Sequence, residues 1–490
     1  MVRPNVAGVR CPRMSPLVRL RSLVARWRTA QVEQARAAAR GEPIEERRLA
    51  AIRAPLGSGE ARALLDECVT LRILDADDHR VFLGHLADAA REELSHRRAM
   101  PAALRASDEV EVEGEPITLG AIAGDATRWL ERGRLEAVAA IVAPRARRWS
   151  EVHAEADEIT TRIEARGPAA PKEEIELEGF LAATDEATHE ALARALHALG
   201  LAGARGLAAE KTLQVVRALR AAPLDALLSR DGRASRLGRA LQPVGTDALV
   251  ASRLRIEEDT TFASRACLWL VDPPRRVVIA PSPIELGVLS ELELLEAFGR
   301  GLALTSQSPA LPDEHRLSSH TEVPDLLGAI VALFLGAPPF LEKRYGLDVR
   351  PAAALAVVST YAALVRARLD VARAIVRARA LVTDSDEANA LSRRCLALEA
   401  ELPIGWLLAS PASTETLVRI ARSQAVAPAA YLALRERHDE DFFRNPRTGE
   451  TFAGAGARGS RLSRVEWLAE IGVAGSPAEA ARVLLRERLG

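Results

Sequence analysis

Lysine is almost missing from this 490-residue chain: Lys172, Lys211 and Lys343 are the only three, and every other basic side chain, histidine aside, is arginine. One arginine is therefore weaker evidence of a bidentate anion site here than in an average protein. Cysteine is scarce as well. Cys11, Cys68, Cys267 and Cys395 are scattered, with no CxxC pair. That argues against a disulfide framework and predicts free thiols in a reducing cytoplasm. Aromatics make up only 4% of residues, so the core must be built from Ala, Leu and Val. Ala and Leu, with Arg and Glu, are strong helix formers. Charge of one sign is missing too: 27% of residues are charged, yet the formal net charge is −1. This balance excludes general nucleic-acid binding, which needs a basic face to displace counterions. It also gives no global electrostatic reason to expect an acidic substrate. The longest uncharged run, Leu326–Leu341, is short for a membrane span and contains Pro338 and Pro339. The N-terminus is rich in arginine (Arg3, Arg10, Arg13, Arg19, Arg21, Arg26, Arg28) with no apolar stretch behind it, so no secretory signal is expected, and Met14 is an alternative start. A cytoplasmic protein without a membrane partner is the expectation.

Common catalytic motifs are absent. There is no G-x-S-x-G and no evident Cys–His pairing. The glycine-rich AGAGARG at 453–459 lacks the Lys-Ser/Thr of a phosphate loop and reads as a flexible turn. Trp406, in ELPIGW, reads as a core residue, with a pocket wall as the alternative.

Present instead is a hydrophobic content of 48%, enough for one large core or two to three ordinary ones. Helical spacing of apolar residues predicts two or three helices over 15–100 and further helices at about 120–142 and 146–165. Residues 108–119 alternate apolar and acidic around Gly114, a hairpin signal. Arg166–Glu173, with Gly167, Pro168 and Pro171, is the best linker, dividing an N-terminal helical region (1–165) from a second unit (174–490). Helices are expected at about 174–183 and 185–199. Phe262, Cys267, Trp269, Val271, Val277, Val278 and Ile279 form the β-prone cluster, split by Pro273 and Pro274. Helices then resume at 288–305, 322–335, 351–380, 384–400, 413–422, 427–437 and 478–488. The fold class is all-α with a small β element, and no repeat of fixed period is visible.

One stretch has a specific order. A strand with a double proline (VDPPRRVVI) precedes a helix containing LLEAFGRGLAL, then a second helix begins TEVPDLLG. This resembles the core of the oligoendopeptidase F / thimet oligopeptidase family of zinc metallopeptidases. There a strand precedes a helix bearing H-E-F-G-H-A-L, and a further helix supplies a Glu within a segment such as D-F-V-E-x-P-S-Q. Near the end, DEDFFRNPRTGETFAGAGARG (439–459) and WLAEIG (467–472) resemble the family's D-W-W-x-N-P-x-A-G tail and final helices. Together these segments cover about a third of the chain. The resemblance implies a zincin-like peptidase fold with a central cleft. It implies that strand 275–280 (Arg275, Val277, Ile279) pairs with peptide, and that helices 288–305 and 322–335 form the floor.

Set on that pattern, the first metal-binding His falls on Glu296, the catalytic Glu on Ala297 and the second His on Arg300, while Phe298 and Gly299 match. The third ligand falls on Glu322, ahead of a matching Pro324. A zinc site of this kind needs two imidazoles at i and i+4 plus a carboxylate, and a Glu to take a proton from the bound water. None of the nine histidines forms HExxH. Zinc, expected for the family, therefore lacks its ligands, and no metal or other cofactor is expected. Glu296 and Arg300 instead stand in the favourable order for a helical ion pair. One expectation is a buried triad in which the Arg300 guanidinium sits where zinc would, between Glu296 and Glu322. The other is a solvent-exposed Glu–Arg pair. A replacement metal site from His315, His320 and Glu322 is a further candidate. Asp272 with its two prolines suits either a cleft-lining strand or a proline-protected edge.

The functional expectation is a degenerate member of that family: a catalytically inactive, peptidase-like protein that binds peptide or protein in its cleft. The alternatives are an active hydrolase with a non-standard site and a helical scaffold unrelated to peptidases. A fold does not by itself decide among them.

Overall fold

The computed structural model describes residues 15–489, apart from 41, 44, 58, 102–107, 113, 119–131, 165–170, 202–207, 229–232, 245–251, 258–266, 282–286, 319–320, 384 and 399–403. The linker expected at 166–173 falls largely outside the described residues, as does Phe262.

Six helices position the site: α1 (Pro16–Ala39), α2 (Ala76–Arg97), α3 (Val288–Thr305), α4 (Glu322–Leu333), α5 (Val349–Ala378) and α6 (Thr414–His438). Their starts follow local chemistry. Ser15 accepts from the Val18 amide ahead of a helix that opens on Pro16. Asp75 accepts from the Asp78 amide at 2.7 Å, and Ser413 from the Thr416 amide at 3.3 Å. Several helices run longer than periodicity predicts. Arg132–Glu164 is one helix through Pro144, α6 continues through Pro428, and Pro171–Ala198 is a single element. A proline removes one helical hydrogen bond. In α6 that loss is outweighed by burying Ala425, Ala427, Ala429, Ala430 and Tyr431 around it.

The main core forms where α3, α4, α5 and α6 meet. Phe334, Phe340, Tyr431, Phe442 and Phe443 stack there edge-on or tilted, at ring separations of 4.9–6.2 Å. They concentrate much of a small aromatic content in one place, each ring contributing about 1.5–3 kcal/mol by burial. α5 is long and apolar enough to cross a membrane; two-thirds of its most apolar window is buried in the protein interior.

The hairpin forms as expected, with β1 (Glu109–Val112) antiparallel to β2 (Glu115–Thr118). A second sheet holds β3 (Leu254–Ile256), β4 (Cys267–Asp272) and β5 (Arg276–Ala280), in the order β3-β5-β4. β5 is thus the central strand, parallel to β3 and antiparallel to β4. This corrects the expectation that 275–280 is available to a peptide. The β5 backbone is engaged on both sides, Val277 and Ile279 are fully buried, and Arg275 lies in the turn before the strand. β4 is the edge. Val32 and Ala39 of α1 pack over the sheet against Trp269, Val278 and Ala280.

AGAGARG is not a flexible turn. Most of it is the end of a helix, Pro446–Ala457. A Cβ on Gly456 would stand 2.4 Å from the Ala303 carbonyl oxygen, so the glycine lets this helix touch the α3 backbone.

Candidate functional site

The crossing of α3 and α4 brings the predicted residues into register. It is close because both helices present glycine. A Cβ on Gly299 would lie 2.6 Å from the Leu327 carbonyl oxygen, and one on Gly328 would lie 2.7 Å from the Glu296 carbonyl oxygen. Backbone therefore meets backbone. The side chains one turn either side of Gly299 and Gly328 are forced into a common space between α3, α4, α5 and α6.

Glu296 is 8% exposed. It pairs with Arg366 of α5 and accepts from Gln424 Nε2 of α6 at 3.3 Å. Arg300 does not meet Glu322. Its Nε stands 2.9 Å from Asp325 Oδ1, and Arg419 of α6 pairs with Asp325 Oδ2. Glu322 is turned away, its Oε2 accepting from the Arg464 amide at 3.2 Å. The expected triad is therefore corrected: Asp325, three residues further along the same helix, takes the place foreseen for Glu322. The reason is helical geometry. Glu322 is the first residue of α4 and faces the helix that begins at Arg464, whereas Asp325 is carried onto the α3 side almost one turn later. Arg366, Arg419 and Gln424 went unseen because they reach the site from helices far away in sequence. The one available signal was an arginine on the apolar stripe of α5.

The two carboxylates behave oppositely. Burial pushes the Glu296 carboxyl up, and Arg366 and Arg300 offset this only in part. Burial acts on Asp325 in the same sense, yet Arg419 and Arg300 outweigh it and hold that carboxyl below its usual range. Asp325, 5% exposed, is thus a fixed anion and a poor base. Ala297 offers a methyl group where a proton acceptor would stand.

This donor set does not fit zinc. Its carboxylates are already engaged by guanidiniums, and a dication there would face Arg300, Arg366 and Arg419 at once. The candidate set of His315, His320 and Glu322 is described only in part. His320 lies outside the described residues, and Glu322 is engaged by Arg464. His315 sits elsewhere, its Nε2 2.7 Å from Asp78 Oδ1 and its Nδ1 2.8 Å from Ser460 Oγ. With Glu314 these form a cluster of three ligand-type atoms within 4.8 Å. Arg21 and Arg461 already occupy its carboxylates.

A cavity of about 210 Å³ opens beside Arg300. It is lined by Leu268, Trp269 and Leu270 of the β4 edge, by Arg28, Gln31 and Val32 of α1, and by Arg300, Asp325 and Arg419 from α3, α4 and α6. Among the described residues no further strand pairs with β4. Asp272 and its prolines end this cleft-lining edge. Trp406 packs elsewhere, against the cluster of Val110, Val138 and Trp149.

The architecture is that of the helical zincin-like metallopeptidases. An M32 carboxypeptidase from Deinococcus radiodurans superimposes with a TM-score of 0.59 at 14% identity, covering 97% of this chain and 99% of that one. Trypanosoma cruzi metallocarboxypeptidase 1 gives 0.57 at 13% identity, with 97% and 99% covered. A protein described as an oligoendopeptidase F of Bacillus anthracis gives 0.50 at 13%, covering 97% of this chain and 82% of its own. No protein-family model and no curated protein sequence matches the chain. The fold thus agrees with the resemblance read from the sequence.

Proposed function

We propose that this protein is a metallopeptidase-fold binding protein without zinc or a catalytic base, and that it takes an extended peptide along the free edge of β4. The observation that carries the reading is the replacement of a cation-binding donor set by an arginine-rich one. Arg300, Arg366 and Arg419 converge on two carboxylates at the helix crossing, beside Ala297. The cavity supports binding rather than turnover. It offers an unpaired strand edge for main-chain hydrogen bonds, with apolar side chains between polar ones. Asp325, the one carboxylate among the described lining residues, is held below its usual range and so is a poor proton acceptor.

The test uses fluorescent peptides with the intact chain. Binding without turnover, weakened in Leu270→Pro, is expected, because proline would remove a strand-edge amide. Hydrolysis abolished by a chelator would overturn the reading. A second reading, an active hydrolase with a non-standard metal, draws on one observation, the Asp78–Glu314–His315 cluster. Stoichiometric metal in the purified chain that is lost in His315→Ala would favour it.

A further inference from the structure

We infer that the cleft beside Arg300 is an anion receptor, and that the group it holds is a carboxylate carried by the bound peptide. The inference rests on the peptide-cleft reading and names the chemistry of its ligand.

The first observation is unmatched hydrogen-bonding capacity. Arg300 Nε stands 2.9 Å from Asp325 Oδ1 as an ion pair, and its two terminal nitrogens make no hydrogen bond to any described residue. The side chain is 31% exposed and lines the cavity. Terminal guanidinium nitrogens present a planar pair of donors that suits a carboxylate.

The second is charge. Three arginines line the cavity (Arg28, Arg300, Arg419) against one carboxylate, Asp325, an excess of two positive charges. Arg28 is answered by Asp88 outside the wall, and Arg419 faces Glu415 and Asp88 as well as Asp325. Asp325 is shared between Arg300 and Arg419, and of the two Arg300 is the more exposed, at 31% against 12%. The chain as a whole is nearly neutral, so the arginine-rich lining is a local feature. A positive cleft with low-dielectric walls concentrates anions.

The third is placement. Leu268, Trp269 and Leu270 are in the same wall system as Arg300, so a strand added to the β4 edge brings its own end or side chains over the guanidinium. Leu304, Leu317 and Pro324 give the neighbouring residues an apolar seat.

The experiment compares three fluorescein-labelled hexapeptides of one Ala/Val sequence: a free C-terminal acid, a C-terminal amide, and an amide carrying one internal Glu. The expected result is that an acid-bearing peptide binds about tenfold or more tightly than the neutral amide. The better of the two acid forms identifies whether a chain end or a side chain supplies the carboxylate. Arg300→Gln abolishes the preference, and Arg300→Lys, which keeps the charge but not the fork, retains part of it. Equal binding of all three peptides, or a preference that survives in Arg300→Gln, overturns the inference. If no peptide binds, the peptide-cleft reading fails separately, and succinate then decides the anion site. A rise in melting temperature with succinate in the wild type but not in Arg300→Gln supports it, and the same response in both overturns it. A larger rise with inorganic phosphate than with succinate overturns the carboxylate assignment.

Discussion

The cluster around Asp325 and the cluster around His315 are both buried and charged, and both join distant parts of the chain, yet they differ in how fully their groups are matched. Around His315, Asp78 takes the imidazole and Arg461, Ser460 takes the other ring nitrogen, and Arg21 grips Glu314, whose backbone carbonyl oxygen meets His85 Nε2 at 2.8 Å. It holds residue types that bind metals, arranged closely enough to do so, with the carboxylates and both imidazole nitrogens occupied by protein. Around Asp325 the residue types are wrong for a metal, but Arg300 retains spare donors over a cavity. What marks a site is unspent bonding capacity facing a space, more than the identity of the residues.

Four experiments sharpen or break this contrast. The largest effect is expected from Asp325→Asn, which strips the shared counter-charge from Arg300 and Arg419. Loss of one partner of a buried ion pair costs about 3–5 kcal/mol, readable by urea unfolding. A loss below about 1 kcal/mol would mean that water, not Asp325, compensates these arginines. Asp78→Asn comes next, at about 1–3 kcal/mol, because Arg461 is 42% exposed and rehydrates once released. A greater loss there than at Asp325 would invert the comparison.

Third, the two cleft carboxylates predict opposite pH responses. Glu296 has its folded pKa raised, so its contribution to stability is full below the ordinary carboxylate range and falls as pH rises through the folded value. Asp325 has its folded pKa lowered, so its contribution is present above that range and is lost on acidification. Glu296→Gln should therefore gain stability relative to wild type as pH rises above the ordinary carboxylate range. A stability difference that stays flat with pH would show that Arg366 fully compensates Glu296. The smallest effect is expected from zinc. Added Zn²⁺ should leave the melting temperature unchanged at both clusters. A stoichiometric zinc ion lost with His315→Ala would make the better-matched cluster the metal centre after all.

The sequence made α3 and its neighbours readable through order: a proline-marked strand, a helix with Phe298-Gly299, and a helix with Pro324. Gly299 was more informative than its match suggested, since it fixes how closely α4 approaches. Two features were illegible for physical reasons. β3 is only three residues long, too short to signal a strand, yet its pairing moves β5 from edge to centre and leaves β4 as the edge beside the cleft. Asp325 was passed over for Glu322 because a sequence motif carries no rotational phase. On a helix, three positions decide which neighbour a side chain meets. Arg366 and Arg419 depend on how α5 and α6 dock, which no local pattern encodes.

The first helix has a consequence for anyone trimming this chain. α1 supplies the far bank of the cleft through Arg28, Gln31 and Val32, and it also roofs the sheet at Trp269. Shortening the protein past Ala39 would do more than widen an entrance. It would bare a hydrophobic strand margin to solvent, and such margins recruit copies of themselves. A truncated product should accordingly sediment as aggregates, with the intact N-terminal helix serving as the guard that keeps that margin solitary.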